Sequence, residues 1–190
     1  MTELQATAQR EVGDPIPHHC EVIEIHVADM RQLFNSIDPS PFRQRDLDAD
    51  AEEFIVGWAR DSSRKAHLAL LVHLDQPANL EDELAILREA VRTFFEHRRE
   101  STRRQLRELL RVGRTSLMIG MVVVTAAIVG GSFIPDHVPG HDILRESLLI
   151  GGWVAMWRPL EIFLYEWWPI QAQARLYKRL SEMPVRITRP

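Results

Sequence analysis

Residues Thr115–Ile134 read TSLMIGMVVVTAAIVGGSFI, twenty positions without a charged side chain. As a helix this run covers ~30 Å at ~1.5 Å per residue, the thickness of a bilayer's hydrocarbon core. Its polar atoms are Ser and Thr hydroxyls, which can bond back to helix carbonyls. Gly120, Gly130 and Gly131 weaken a helix in water. They suit a membrane helix, where small residues let backbones approach. Core helices of soluble proteins seldom run this long without charge. The run is read as a first transmembrane helix.

A second apolar segment, Ile143–Trp168, reads ILRESLLIGGWVAMWRPLEIFLYEWW. Between the two lies Pro135–Asp142, with two prolines and a glycine, which predicts a short external loop and a helical hairpin. If Ile143 lies near one face, Arg158 is ~22 Å deeper at helical rise. That leaves it within ~8 Å of the opposite face, where a guanidinium can snorkel out. Glu161 follows three residues later on the same side and can pair with it, so Arg158 and Glu161 are expected as an intramembrane ion pair. Trp157, Tyr165, Trp167 and Trp168 fit an aromatic belt at that boundary. The competing reading is a re-entrant or interfacial segment broken at Pro159.

Orientation follows from Lys and Arg near the ends of the spans. Arg98, Arg99, Arg103, Arg104, Arg107, Arg111 and Arg114 precede the first, with Arg111 and Arg114 as interface anchors. Arg175, Lys178, Arg179, Arg186 and Arg189 follow the second, and the loop has none. Both termini are therefore expected in the cytoplasm. Met1–Pro17 is polar and has no signal-peptide pattern.

Charge divides the chain as well. Residues 1–95 carry nine Lys/Arg and eighteen Asp/Glu, and residues 96–190 carry fourteen and nine. An acidic front joined to a basic, apolar rear is not the profile of one soluble domain. Cys20 is the single cysteine, which excludes an intrachain disulfide or a Cys-rich zinc module.

In the front half, residues 1–17 lack periodicity and read as a mobile tail. Cys20–Val27 alternates, with Ile23, Ile25 and Val27 on one face. Ala66–Leu74 does the same, with Leu68, Leu70, Val72 and Leu74 inward. Between them a short helix is expected over Met30–Ile37. A better one runs over Asp50–Arg60, capped by Asp50 and packed through Ala51, Phe54, Ile55 and Trp58. The order predicts a parallel β-α-β unit over residues 18–78. Pro184–Arg189 also alternates and is a possible third strand. From the cap Asn79, the residues Leu80, Leu84, Leu87, Val91 and Phe94 form a partial heptad seam. The chain then enters a basic stretch, so residues 79–114 are expected as an amphipathic stalk helix. The full expectation is an α+β membrane protein. A small cytoplasmic domain and long stalk helix lead to a two-helix transmembrane hairpin (115–134 and 143–168, loop 135–142). A cytoplasmic helix and possible strand follow over 169–190.

The block Leu33–Asp48, LFNSIDPSPFRQRDLD, resembles a motif in a family of uncharacterised bacterial membrane proteins. Those proteins also look like a small cytoplasmic domain followed by paired membrane helices. The likeness is strongest over residues 20–60. It implies a multi-pass bacterial inner-membrane protein and brings no activity or catalytic residue with it.

Other motifs reduce to simpler readings. Asp46, Asp48 and Asp50 begin like a calcium loop, but its sixth and twelfth places hold Ala51 and Gly57. The loop containing Asp38, Ser40, Phe42, Arg43, Arg45 and Asp46 is a candidate interaction surface, and no base accompanies Ser40. His18, His19 and Cys20 lack a fourth ligand at diagnostic spacing. Asp136, His137, His141 and Asp142 read as a polar turn. The spacing Trp157, Glu161, Tyr165 resembles the pore signature of calcium uniporters. Here, though, it closes the second helix rather than opening it, and Arg158 stands where that family has an acid. The stretch Arg98–Arg114 has interleaved acids and no stacking aromatics, which argues against nucleic acid.

No catalytic residue, cofactor or metal is therefore expected, and any small-molecule ligand is left open. The expected partners are the lipid bilayer and either further copies of the chain or subunits of a larger membrane complex. The expected role is a non-catalytic scaffold or accessory subunit. An oligomeric channel or transporter component using Arg158 and Glu161 is one alternative. A membrane-anchored sensor or enzyme using the Asp38–Asp50 loop is the other.

Overall fold

Sheet pairing joins the two ends of this chain. The computed structural model describes residues 11–41, 45–63, 66–75, 80–135 and 139–188. Its elements are β1 (Glu11–Gly13), β2 (Cys20–Val27), a 3-10 turn (Met30–Leu33), α1 (Ala49–Asp61) and β3 (His67–Leu74). Next come α2 (Leu80–Ser132), α3 (His141–Glu161), a π-helical turn (Ile162–Glu166), α4 (Trp167–Ser181) and β4 (Val185–Thr188). The chain forms two compact units, Met1–Glu100 with Ala174–Pro190, and Ser101–Gln173.

In the first unit β2 and β3 pair in parallel, in register from Cys20↔His67 to Val27↔Leu74. This is the pairing that the strand–helix–strand order predicts. The C-terminal segment joins them: β4 runs parallel to β3, with Val185 opposite Leu70 and Ile187 opposite Val72. Those two β4 side chains are buried. The small parallel sheet thus has three strands, and β1 adds an antiparallel edge on β4.

That edge corrects the expected tail over 1–17. Gly13 has φ +147, and a Cβ there would lie 2.7 Å from both Arg186 Cα and Val185 O, so only glycine lets β1 run this close. Asp14 then fastens the segment. Its N–H donates to Val185 O (3.3 Å), its Oδ2 accepts from Val185 N (3.4 Å), and its Oδ1 accepts from Arg88 (2.8 Å). Residues 1–10 lie outside the described residues.

The core joins alternate strand positions to three helices. Ile23, Leu70, Val72, Leu74 and Val185 cluster with Ile55 and Ala59 of α1, Leu87, Val91 and Phe95 of α2, and Tyr177 and Leu180 of α4. The heptad-like seam is therefore spent inside the unit's own core. The Asn79 cap and the Leu80 side chain lie outside the described residues.

Two local expectations shift. The helix expected over Met30–Ile37 stops at Leu33, because Phe34 turns extended and bridges to Leu47. Two backbone bonds fix that clip, Asn35 N to Asp46 O (2.9 Å) and Asp48 N to Leu33 O (2.9 Å). Helix α1 starts at Ala49 with Asp48, not Asp50, as its cap. Its buried residues are Ile55, Val56 and Ala59. At 100° per residue, Phe54 and Trp58 fall on the flank, 46% and 47% exposed.

The second unit packs small residues inside and large apolar ones outside. A Cβ on Gly120 would lie 2.8 Å from Met156 Sδ and 3.2 Å from Ala155 O. One on Gly152 would lie 3.3 Å from Val124 Cα and 3.4 Å from Ala127 Cβ. Gly113, Gly120 and Ala127 lie seven apart, two turns each, and so share one face of α2. Meanwhile Met118, Val122, Phe133, Ile143, Trp153 and Val154 are exposed. Among the described residues two helices are long and apolar enough to cross a membrane, within α2 and within α3–α4. Pro159 does not break the second, which continues to Ser181.

Candidate functional site

Arg158, expected to pair with Glu161, binds two carboxylates. Its Nη1 donates to Glu161 Oε2 at 3.0 Å and to Glu166 Oε1 at 2.5 Å. Nη2 reaches Glu166 Oε2 at 3.5 Å. The Glu161 contact follows from helical spacing of three. The Glu166 contact does not. In an unbroken α-helix a residue eight positions on lies ~80° round the axis, off the Arg158 face. The π-turn Ile162–Glu166 takes up an extra residue. Glu166 then sits about where a seventh residue would, ~20° from Arg158. No spacing rule in the sequence points to it. One arginine between two carboxylates leaves the cluster at net −1, which suits holding a helix register or bonding a donor on a neighbouring chain.

The aromatic residues divide. Trp157, Tyr165 and Trp168 are 73%, 71% and 63% exposed. Trp167 instead donates its indole N–H to Phe163 O (2.8 Å), a carbonyl within the π-turn. Among the expected anchors on α2, Arg114 is exposed and Arg111 stands 3.9 Å from Glu108.

The expected interaction loop is built around Asp38. Its Oδ1 accepts from Ser40 N (2.9 Å) and its Oδ2 from Asp46 N (2.8 Å), so one carboxylate ties together both limbs. The Asp46 N–H, then the Ser40 groups and the Arg45 charge, hold the Asp38 carboxyl below its ordinary 3.8. Phe42 and Arg43 lie outside the described residues, as do Asp136 and His137 of the later turn. Among the described residues no three His, Cys, Asp or Glu side chains are grouped to hold a metal. His19 meets His67 edge-on, with ring centroids 5.4 Å apart.

No family model, curated protein or solved structure matches the chain.

Proposed function

We propose that this is a bacterial inner-membrane protein whose two apolar helices cross the bilayer as a hairpin. Both termini and the α/β unit lie in the cytoplasm. The observation that carries this reading is the pairing of β3 with β4. One strand precedes the apolar helices and the other follows them, so a chain that crosses the bilayer has to return to the side it left, which takes an even number of crossings. The second unit's exterior supports the same reading. Only 17% of each apolar window is buried, unlike the mostly buried core helix of a soluble domain. Close glycine packing inside and large apolar side chains outside is what lipid favours.

Within the membrane reading, the protein works by assembly and not by catalysis, as an accessory subunit of a larger complex. Phe54 and Trp58, one turn apart on α1 and close to half exposed, favour a partner on the α/β unit. Self-association through the Leu84–Phe94 seam is not part of the reading, because that seam is buried at home.

Two measurements test it. In a Cys20→Ser background, Asp142→Cys should react with an impermeant thiol reagent from outside intact cells, and Ser62→Cys only after lysis. The reverse pattern, or release of the chain from membranes by alkali, overturns the topology. The mass of the detergent particle should exceed that of one chain, with a second polypeptide at fixed ratio. A lone monomer overturns the assembly role.

The charged cluster favours a second reading, an oligomeric channel or transporter component lined by Arg158, Glu161 and Glu166, since ionisable groups in a span usually serve function. Liposome flux indifferent to Arg158→Gln and Glu161→Gln dismisses it.

A further inference from the structure

We propose that the second unit carries a binding groove for the headgroup of an anionic phospholipid. The groove, of about 610 Å³, is lined by Arg104, Arg107, Arg111 and Arg114 of α2, with Glu108 among them and Phe163 of the π-turn forming an apolar wall. The arginines step by three, four and three, so all four lie on one helix face. Glu108, 3.9 Å from Arg111, offsets part of that positive charge, and arginines outnumber acids along the groove. Guanidinium groups stay protonated and present paired N–H donors that match two phosphate oxygens at once.

What selects a lipid over another anion is the continuation of that face. From Arg114 the next steps of four and three reach Met118 and Met121. Both are exposed, at 71% and 59%. The stripe passes directly from fixed positive charge to open apolar surface, the order of a phospholipid's phosphate and acyl chains. A soluble phosphate would use only the first half of the stripe. A nucleic acid would meet large apolar side chains where it needs polar ones. The arginines extend over ~15 Å of helix axis, so a lipid with two phosphates engages more of them than one with a single phosphate. Basic pockets between apolar helices at the cytoplasmic boundary suit such headgroups.

The inference rests on the membrane reading above, and its test separates the two. The full-length chain in neutral detergent is titrated with cardiolipin, phosphatidylglycerol, phosphatidylcholine and inorganic pyrophosphate, and bound adducts are counted by native mass spectrometry. Cardiolipin should bind most tightly, then phosphatidylglycerol, with phosphatidylcholine and pyrophosphate far weaker. Replacing Arg107, Arg111 and Arg114 by Gln should weaken cardiolipin about a hundredfold, at about fivefold per arginine. The corresponding triple Lys variant should recover part of that loss, the share owed to charge and not to paired N–H donors, which separates both from misfolding. Met118→Gln with Met121→Gln should weaken cardiolipin and leave pyrophosphate unchanged, while Arg145→Gln should change nothing. Equal binding of phosphatidylcholine, or pyrophosphate as tight as cardiolipin, overturns the assignment. A chain released from membranes by alkali that still selects cardiolipin supports the groove and breaks the hairpin. A spanning chain without headgroup preference overturns the groove alone.

Discussion

The Asp46 backbone N–H donates to Asp38 Oδ2 at 2.8 Å, closing eight residues of loop on one carboxylate. With Ser40 N on the other oxygen, Asp38 fastens the loop's two limbs to one another. Asp38→Ala should speed amide exchange at Ser40 and Asp46, and Asp38→Asn should do so less, since it keeps an acceptor. The pH dependence has a definite sign. The folded carboxyl titrates below its ordinary 3.8. Its contribution is therefore complete above that value and is lost as pH falls through the lower, folded one. Wild-type protection at those two amides, measured relative to intrinsic exchange, should hold above pH 3.8 and be lost only as pH falls below it. Protection that is equal in Asp38→Ala and wild type would remove the fastener role.

Leu87 tests where the helical seam is spent. It is fully buried, in one cluster with Val91 and Phe95. Leu87→Ala leaves a cavity and should cost about 2–5 kcal/mol of unit stability. Thermal denaturation followed by circular dichroism would show this as a lowered Tm, with the detergent-particle mass unchanged. A changed particle mass at unchanged Tm would return the seam to an interface between chains.

These two residues mark how far the sequence is legible. Alternation over Cys20–Val27 and His67–Leu74 reveals both strands, because successive side chains point to opposite faces, but Ala69, read as outward, is fully buried. The same signal over Val185–Thr188 suggests a strand but not its neighbour. The period at Leu84–Phe94 says that a face is buried without saying what covers it, so a core helix and a coiled coil read alike. The three residues of β1 carry no pattern at all. Their placement depends on Gly13 and on Asp14, which meet β4 from the far end of the chain. Counting aromatics misplaces the buried face of α1, where Ile55, Val56 and Ala59 outweigh Phe54 and Trp58. Of the charged cluster, Glu161 is legible from spacing. Glu166 is not, because a π-turn adds a residue that no 3.6-residue count anticipates.

The cluster's charge balance ranks its variants. Arg158 holds two carboxylates, so Glu166→Gln leaves a neutral pair with Glu161. Arg158→Gln leaves both acids without the cation they share. Arg158→Gln should therefore reduce the membrane-integrated, alkali-resistant fraction more than either Glu→Gln change, and the triple Gln variant should recover it. Equal losses from Arg158→Gln and Glu166→Gln, with no recovery in the triple variant, would show that the groups do not act as a unit.

Adjacent glycines on α3 should respond in opposite directions. Gly152 faces α2, and an added Cβ would meet Val124 Cα at 3.3 Å and Ala127 Cβ at 3.4 Å. The first of these is backbone, which yields only if the helices part. Gly152→Leu should therefore cost about 1–3 kcal/mol through overpacking. Gly151 has nothing within 4 Å of its Cβ position. Gly151→Ala removes chain entropy from the unfolded state and should gain up to about 1 kcal/mol in helix stability. Unfolding of the detergent-solubilised chain, followed by helical circular dichroism against rising denaturing surfactant, compares the two directly. Gly152→Leu should lower the midpoint and Gly151→Ala should hold or raise it. The same response from both would mean that α2 and α3 do not meet through the Gly152 face.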